Sequence, residues 1–380
     1  MNKSDIIYFR GINGLRFIAA FCVVITHIEL LKPSFGFETI WHNPVIFNLG
    51  SLGVYFFFVL SGFLITFLLL VEKEKFERID VKRFYLRRVL RIWPLYYLII
   101  ILGFVVLPLL DVVKISYLQT SFEQNYITNL LLYIFMLPNA ALSFLAAVPH
   151  IGQLWSIGVE EQFYLLWPLL INKSSKPIKA ISSVLILVIA VKAIYVLLGQ
   201  YYSNEAWYNP IKLFLAMSKF ECMAIGGIGA YLVQKNKESI LTFLKHPALF
   251  IAGIISIPIL IFYTPDFLQD GVHLIYGVIF LLIIIQVIGN LRINTFLEFK
   301  WINYLGKISY GIYMYHFMLI PFVLFTVKNL LGNQNSILNN ILIYSSSVIL
   351  TAFISYLSFN YFENYFIQIK TKLAKIKSKS

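Results

Sequence analysis

The chain has 380 residues, of which 59% are hydrophobic, 17% aromatic and only 13% charged, with a mean hydropathy of +0.78. A soluble domain carries about a quarter charged residues, so this composition excludes an ordinary soluble fold and points to lipid as the solvent. The net charge of +13 then reads as lysine and arginine held on the cytoplasmic side, with no need for nucleic acid as a partner.

Apolar stretches of near-bilayer length fall at about 12–32, 45–71, 92–110, 127–148, 155–172, 178–199, 211–234, 247–263, 272–290, 304–328 and 338–366. They are too long and too uniformly apolar for barrel strands, so the predicted class is all-α and polytopic. The N-terminal MNKSDIIYFRGINGLR is not followed by a small-residue cleavage site, which makes the first stretch a retained span. No long polar stretch would fold as a separate soluble unit. Residues 1–380 are therefore predicted to form a single membrane-embedded domain with a short lysine-rich cytoplasmic tail from about 367.

Charge in the connections sets the orientation. Residues 72–91 hold eight Lys/Arg, 173–179 hold Lys173, Lys176 and Lys179, and 235–246 hold Lys235, Lys237 and Lys245. The segments 33–44, 200–210 and 264–271 hold none. Basic loops belong in the cytoplasm. With the N-terminus inside, the loops alternate everywhere except across 127–172, where two apolar segments occupy the place of one crossing. That region is predicted to cross once, with the part around Pro138 and the turn through Pro149, His150 and Gly152 re-entering or lying along the outer surface. The expected architecture is about ten transmembrane helices plus this one re-entrant or surface-lying segment, both termini cytoplasmic.

Charged and polar residues inside such helices are costly and mark sites by default. Arg16 and His27 lie eleven positions apart, roughly 1100° of helical rotation or about 20° past three turns, so one straight helix carries both on one stripe. They are separated by roughly 16 Å along its axis. Arg87, Arg88 and Arg91 stand in FYLRRVLRIWP; Arg88 and Arg91 share a helix face and are suited to clamping phosphate oxygens on the cytoplasmic side. In LWSIGVEEQFYLLWP, Glu160 and Glu161 point about 100° apart, so one of the two is expected to face a cavity. Ser156, Glu160 and Tyr164 fall on one stripe, with Glu160 at a depth similar to His27, where a carboxylate raises the basicity of an imidazole. Ser61 and Gly62 in GVYFFFVLSGFLI, and the glycines of SKFECMAIGGIGA, suggest close helix contact, with Glu221 an unexplained intramembrane acid. His316 in SYGIYMYHF either lines the cavity or bonds a neighbouring helix. No two histidines share metal-ligand spacing with a carboxylate, so no metal is predicted. Cys22 and Cys222 define no disulfide framework and are assigned to packing.

GLRFIAAFCVVITH with its Arg-x10-His spacing, GVYFFFVLSGFLI, the Arg-x2-Arg pair, LWSIGVEEQFYLLWP and SYGIYMYHF follow one another in order. Together they make the chain resemble the acyltransferase-3 family of bacterial integral-membrane acyltransferases from residue 10 to about 366. The extracytoplasmic hydrolase-like domain that some members append is expected to be absent. The resemblance implies transfer of an acyl group, most often acetyl from acetyl-CoA, to a carbohydrate hydroxyl in O-antigen, capsule, exopolysaccharide or peptidoglycan. It implies that His27 is catalytic and that Arg16, Arg88 and Arg91 serve the donor.

The residues fit that expectation. Acyl-CoA is cytoplasmic and phosphate-rich, and an extended pantetheine arm is of the order of the 16 Å between Arg16 and His27. His27 is expected to act as general base, with Glu160 orienting it or stabilising the imidazolium. Ser61, Ser156, Tyr164 and His316 are further candidates for binding substrate. The expected co-substrate is acetyl-CoA, with no tightly bound cofactor. The expected partners are a carbohydrate or glycolipid acceptor and the bilayer of a bacterial inner membrane. The alternative from another class is a transporter or flippase for a polyprenyl-linked sugar.

Overall fold

An apolar run in lipid satisfies its own backbone only by closing i to i−4 hydrogen bonds, and the runs above do so. A computed structural model describes residues 6–289, 291–333, 336–373 and 377–378. In chain order the helices are α1 (Ile12–Leu31), α2 (Pro44–Phe76), α3 (Val81–Ile101), α4 (Ser116–Gln124), α5 (Tyr126–Ile134), α6 (Pro138–Phe144), α7 (Trp155–Lys173), α8 (Pro177–Tyr202), α9 (Tyr208–Met217) and α10 (Phe220–Gln234). There follow α11 (Glu238–Leu244), α12 (Pro247–Tyr263), α13 (Asp266–Gln269), α14 (Val272–Gly289), α15 (Leu291–Leu297), α16 (Lys300–Lys307), α17 (Ser309–Leu331), α18 (Ile337–Ser358) and α19 (Asn364–Lys372).

Among the described residues, eight helical runs are long and apolar enough to cross a bilayer, and a ninth forms if α11 and α12, bent by 50°, count as one. α7 has the length, nineteen residues, but carries Glu160 and Glu161 and so falls short on apolarity. Counted with it and the bent pair, the candidate crossings among the described residues come to ten. An even number returns the chain to the side on which it began, and Ile6 and Ile7 pair in parallel with Lys377 and Ser378.

The 127–172 region resolves into one continuous nineteen-residue helix, α7, preceded by two fragments of nine and seven residues that are too short to span. The break has a local cause: Met136 takes a positive φ of 61°, and Pro138 begins the next helix without an amide hydrogen to continue the previous one. Two other predicted runs are divided. The 211–234 run breaks at Ser218 between α9 and α10, and 304–328 is split at Ile308 into α16 and α17.

Helix starts follow the sequence. Asn43 accepts the Val45 amide at 2.9 Å ahead of Pro44, and Asp80 accepts the Arg83 amide at 3.1 Å. Gly11, at φ 79°, turns the chain into α1, and its amide donates to Glu298 Oε1 at 2.7 Å. A β-carbon there would also stand 2.5 Å from Val287 Cγ1.

The interior is built on α2. Gly62 and Gly226 let the backbones of α2 and α10 touch, as the small residues in those runs suggest. α8 and α12 are peripheral: the only fully buried residues they contribute are Ile181 and Gly253 respectively, and each packs against the core along one side. Glu221, unexplained in the sequence, is fully buried and lies 2.6 Å from both Lys192 Nζ and His273 Nε2. It ties α8, α10 and α14 together, so the intramembrane charge is paired.

The far end of α1 is tied in the same way. Glu29 is fully buried and accepts from Lys32 Nζ (2.8 Å), Thr39 Oγ1 (2.9 Å), the Ile40 amide (2.8 Å) and Tyr344 OH (2.5 Å). Removing a carboxylate with this many partners strands a buried ammonium. Glu29→Ala is therefore expected to cost about 3–5 kcal/mol of stability, read as a fall in the melting temperature of the detergent-solubilised protein. Glu29→Gln, which keeps part of the acceptor capacity, should lose less.

Candidate active site

A cavity of about 200 Å³ opens where α1, α2, α3, α7 and α17 meet. Its lining on α2 runs from Val54 to Leu68, a depth of roughly 21 Å at 1.5 Å per residue. Arg16, Arg88 and Arg91 all face it, together with Glu160. The local reason is helical spacing: Arg88 and Arg91, three apart on α3, share a face, whereas the neighbouring Arg87 turns away and pairs with Glu72 at 3.3 Å.

Two of the three cavity arginines lie over aromatic faces. The Arg88 guanidinium lies 5.3 Å from the Tyr164 ring centre and 5.5 Å from that of Phe84, and Arg91 lies 5.8 Å from that of Tyr310. Among the described residues Arg16, Arg88 and Arg91 form no ion pair within 4.0 Å. One carboxylate, Glu160, lines the cavity, so the wall is cationic. Such a surface, with rigid forked donors, is suited to a multiply charged anion.

Glu160 and Glu161 separate as their 100° offset requires. Glu161 accepts from Trp93 Nε1 at 3.0 Å, towards α3. Glu160 accepts from Tyr164 OH at 2.8 Å, and Tyr164 is hydrogen-bonded in turn to Ser61 across the α2–α7 contact. Ser156, one turn before Glu160, lies 2.6 Å from Tyr313 OH, which donates to the Gln153 carbonyl at 2.9 Å. Ser61, Ser156, Glu160 and Tyr164 thus all line the same cavity as the arginines.

His27 does not line the cavity; it meets α17 at His316, three residues past the lining Tyr313. Its Nδ1 is 2.7 Å from His316 Nε2, with the two rings stacked at 4.9 Å and Phe317 set edge-on at 4.8 Å. His316 is completely buried, and its Nδ1 lies 3.2 Å from the Ile312 carbonyl oxygen. These contacts assign the tautomers in sequence. His316 Nδ1–H donates to Ile312, which leaves His316 Nε2 as the acceptor for His27 Nδ1–H. His27 Nε2 then keeps a free lone pair, the state a general base needs.

The sequence places Glu160 level with His27, but the structure separates them. Ser156 is level with Tyr313, Glu160 is a turn away in one direction and His316 nearly a turn away in the other, a separation of about 10 Å along the helices. Among the described residues no hydrogen bond joins Glu160 to His27, and the partner of His27 is His316. His316 therefore takes the second of its two expected places, bonding a neighbouring helix rather than lining the cavity. The cavity is also lined by residues not singled out in the sequence, Tyr310, Tyr313 and Lys370 among them. A signal existed for the tyrosines, since 310, 313 and 316 fall at intervals of three along one face of α17.

A family model described as an acyltransferase domain matches residues 9–359. The chain belongs to this acyltransferase family. Peptidoglycan O-acetyltransferase OatA of Listeria monocytogenes is 28% identical over 390 residues, covering 96% of this chain and 58% of the relative. O-acetyltransferase OatA of Staphylococcus aureus is 26% identical over 374 residues, covering 94% of this chain and 57% of the relative. The chain thus spans rather more than half the length of these relatives. No solved structure matches it significantly. The family match places the cavity, with its arginines, and the adjoining histidine pair within an acyltransferase domain.

Proposed function

We propose that this acyltransferase moves an acetyl group from acetyl-CoA to a hydroxyl of a cell-envelope carbohydrate, with peptidoglycan the acceptor that the names of its relatives favour. The observation that carries the reading is the arrangement along α1. Arg16 stands in a cationic cavity with Arg88 and Arg91, and His27, roughly 16 Å along the same helix, presents a free Nε2 just beyond its far end.

In this reading the nucleotide phosphates of the donor bind the guanidinium groups and the pantetheine arm extends along the cavity towards His27. His27 Nε2 takes the proton of the acceptor hydroxyl as its oxygen attacks the thioester carbonyl. The carbon–oxygen bond forms, the carbon–sulfur bond breaks, and the thiolate leaves with the proton from the imidazolium. His316 Nε2, accepting from His27 Nδ1–H, stabilises the imidazolium and so takes the orienting task that the sequence assigns to Glu160. Glu160, hydrogen-bonded to Tyr164, offsets part of the cavity's positive charge. In this reading the arginine end and both termini lie on the cytoplasmic side of a bacterial inner membrane, an orientation that the basic connections support.

Reconstituted protein incubated with acetyl-labelled acetyl-CoA and peptidoglycan strands tests this. The expected result is stoichiometric release of free CoA and appearance of an alkali-labile ester on the glycan. Movement of a polyprenyl-linked sugar across the vesicle wall with no CoA released would establish the transporter reading instead.

A further inference from the structure

The C-terminal lysines account for orientation in the sequence, yet one of them belongs to the cavity. α18 passes into α19 through a π-helical turn at Phe359–Glu363. Such a turn takes in about one extra residue and so rotates the following side chains by about 100° relative to an unbroken α-helix. It is anchored from α17: Tyr315 OH donates to Ser358 Oγ at 3.1 Å, and Ser358 donates to the buried Glu363 at 3.2 Å. α19 then packs along α3, and Lys370 comes to line the same cavity as Arg16, Arg88 and Arg91.

Four cations from three separate helices thus face one cavity that a single carboxylate, Glu160, lines. Among the described residues Lys370 forms no ion pair within 4.0 Å. Like charges gathered in a partly desolvated space repel, and an anion of matching charge relieves that repulsion. We infer that Lys370 is a fourth binding residue for the phosphate groups of the acyl donor, and that α19 forms the wall that closes the donor cavity. The inference rests on the reading that the cavity takes acyl-CoA. Lysine supplies a mobile point charge where the arginines supply fixed forks, so it suits a phosphate whose position the arginines do not fully define.

Equilibrium dialysis of labelled coenzyme A against the full chain in nanodiscs tests this. Lys370→Gln is expected to weaken binding about tenfold, Lys370→Glu by more, and Lys370→Arg by less than about threefold. That order follows charge and not bulk, and melting temperatures within a few degrees of the parent protein (about 3 °C) show that each variant is folded. Binding within twofold of the parent in both Lys370→Gln and Lys370→Glu would overturn the assignment. So would a loss in Lys370→Arg equal to that in Lys370→Glu, because the effect would then be structural. An unaltered chain that binds no coenzyme A would remove the donor reading itself, which separates that failure from failure of the lysine assignment alone.

Discussion

His27→Ala is expected to abolish acetyl transfer, by on the order of 10²–10⁴-fold, while the protein still inserts and still binds coenzyme A. The loss follows from the tautomer chain. The Ile312 carbonyl holds the proton on His316 Nδ1, His316 Nε2 draws the His27 proton to Nδ1, and His27 Nε2 is left free to take a proton. His316→Ala should be graded below this. A hydrogen bond to a charged group is worth about 1.5–3 kcal/mol, so losing the acceptor for the imidazolium predicts a fall in kcat of roughly ten- to a hundredfold. The Michaelis constant for acetyl-CoA should change little, because the cationic cavity is untouched. His316→Gln, whose amide oxygen still accepts, should retain more activity than His316→Ala. Steady-state rates on reconstituted protein decide the matter, and parent-like turnover in His27→Ala would remove the histidine from the chemistry.

The second large effect is on folding. A β-carbon added at Gly62 would sit 1.9 Å from the Met223 carbonyl oxygen, and one at Gly226 would sit 2.0 Å from that of Val59. Both obstacles are backbone, so no side-chain rotation relieves them, and α2 and α10 must move apart. Ordinary overpacking costs about 1–3 kcal/mol, and a collision with a helix backbone should exceed it. Gly62→Val and Gly226→Val are therefore expected to yield little monodisperse protein on size-exclusion chromatography. Gly253→Ala is the control: its β-carbon would meet Ile279 Cγ2 at 3.5 Å, an ordinary contact, and the variant should behave as the parent. The consequence reaches the site, since Ser61, next to Gly62, carries the hydrogen bond to Tyr164.

Much of the site is visible in one helix at a time. The rotation between Arg16 and His27, the three-residue step from Arg88 to Arg91 and the stripe of Ser156, Glu160 and Tyr164 are all periodicities within single segments, and all but His27 line one cavity. Pairing between helices is not visible in that way. Two carboxylates in an apolar run offer a partner for His27, yet its partner comes from α17, almost three hundred positions along. Depth along a helix is legible only relative to that helix. How far α7 is shifted against α1 depends on where side chains interlock, and here Ser156 settles against Tyr313.

Composition and the spacing of apolar and charged residues were enough to establish a multi-pass helical membrane protein and the candidate residues within each span, while the family came from the likeness of its ordered motifs. These properties follow from the local helical period and from the cost of charge in lipid, both of which act residue by residue. The tertiary structure alone decided the pairing of His27 with His316, the partners that Arg87 and Glu161 find in Glu72 and Trp93, and the arrival of Lys370 in the cavity. Each of these depends on which faces of distant helices pack together, and on local breaks such as the π-turn that rotates α19, and no single segment carries that information.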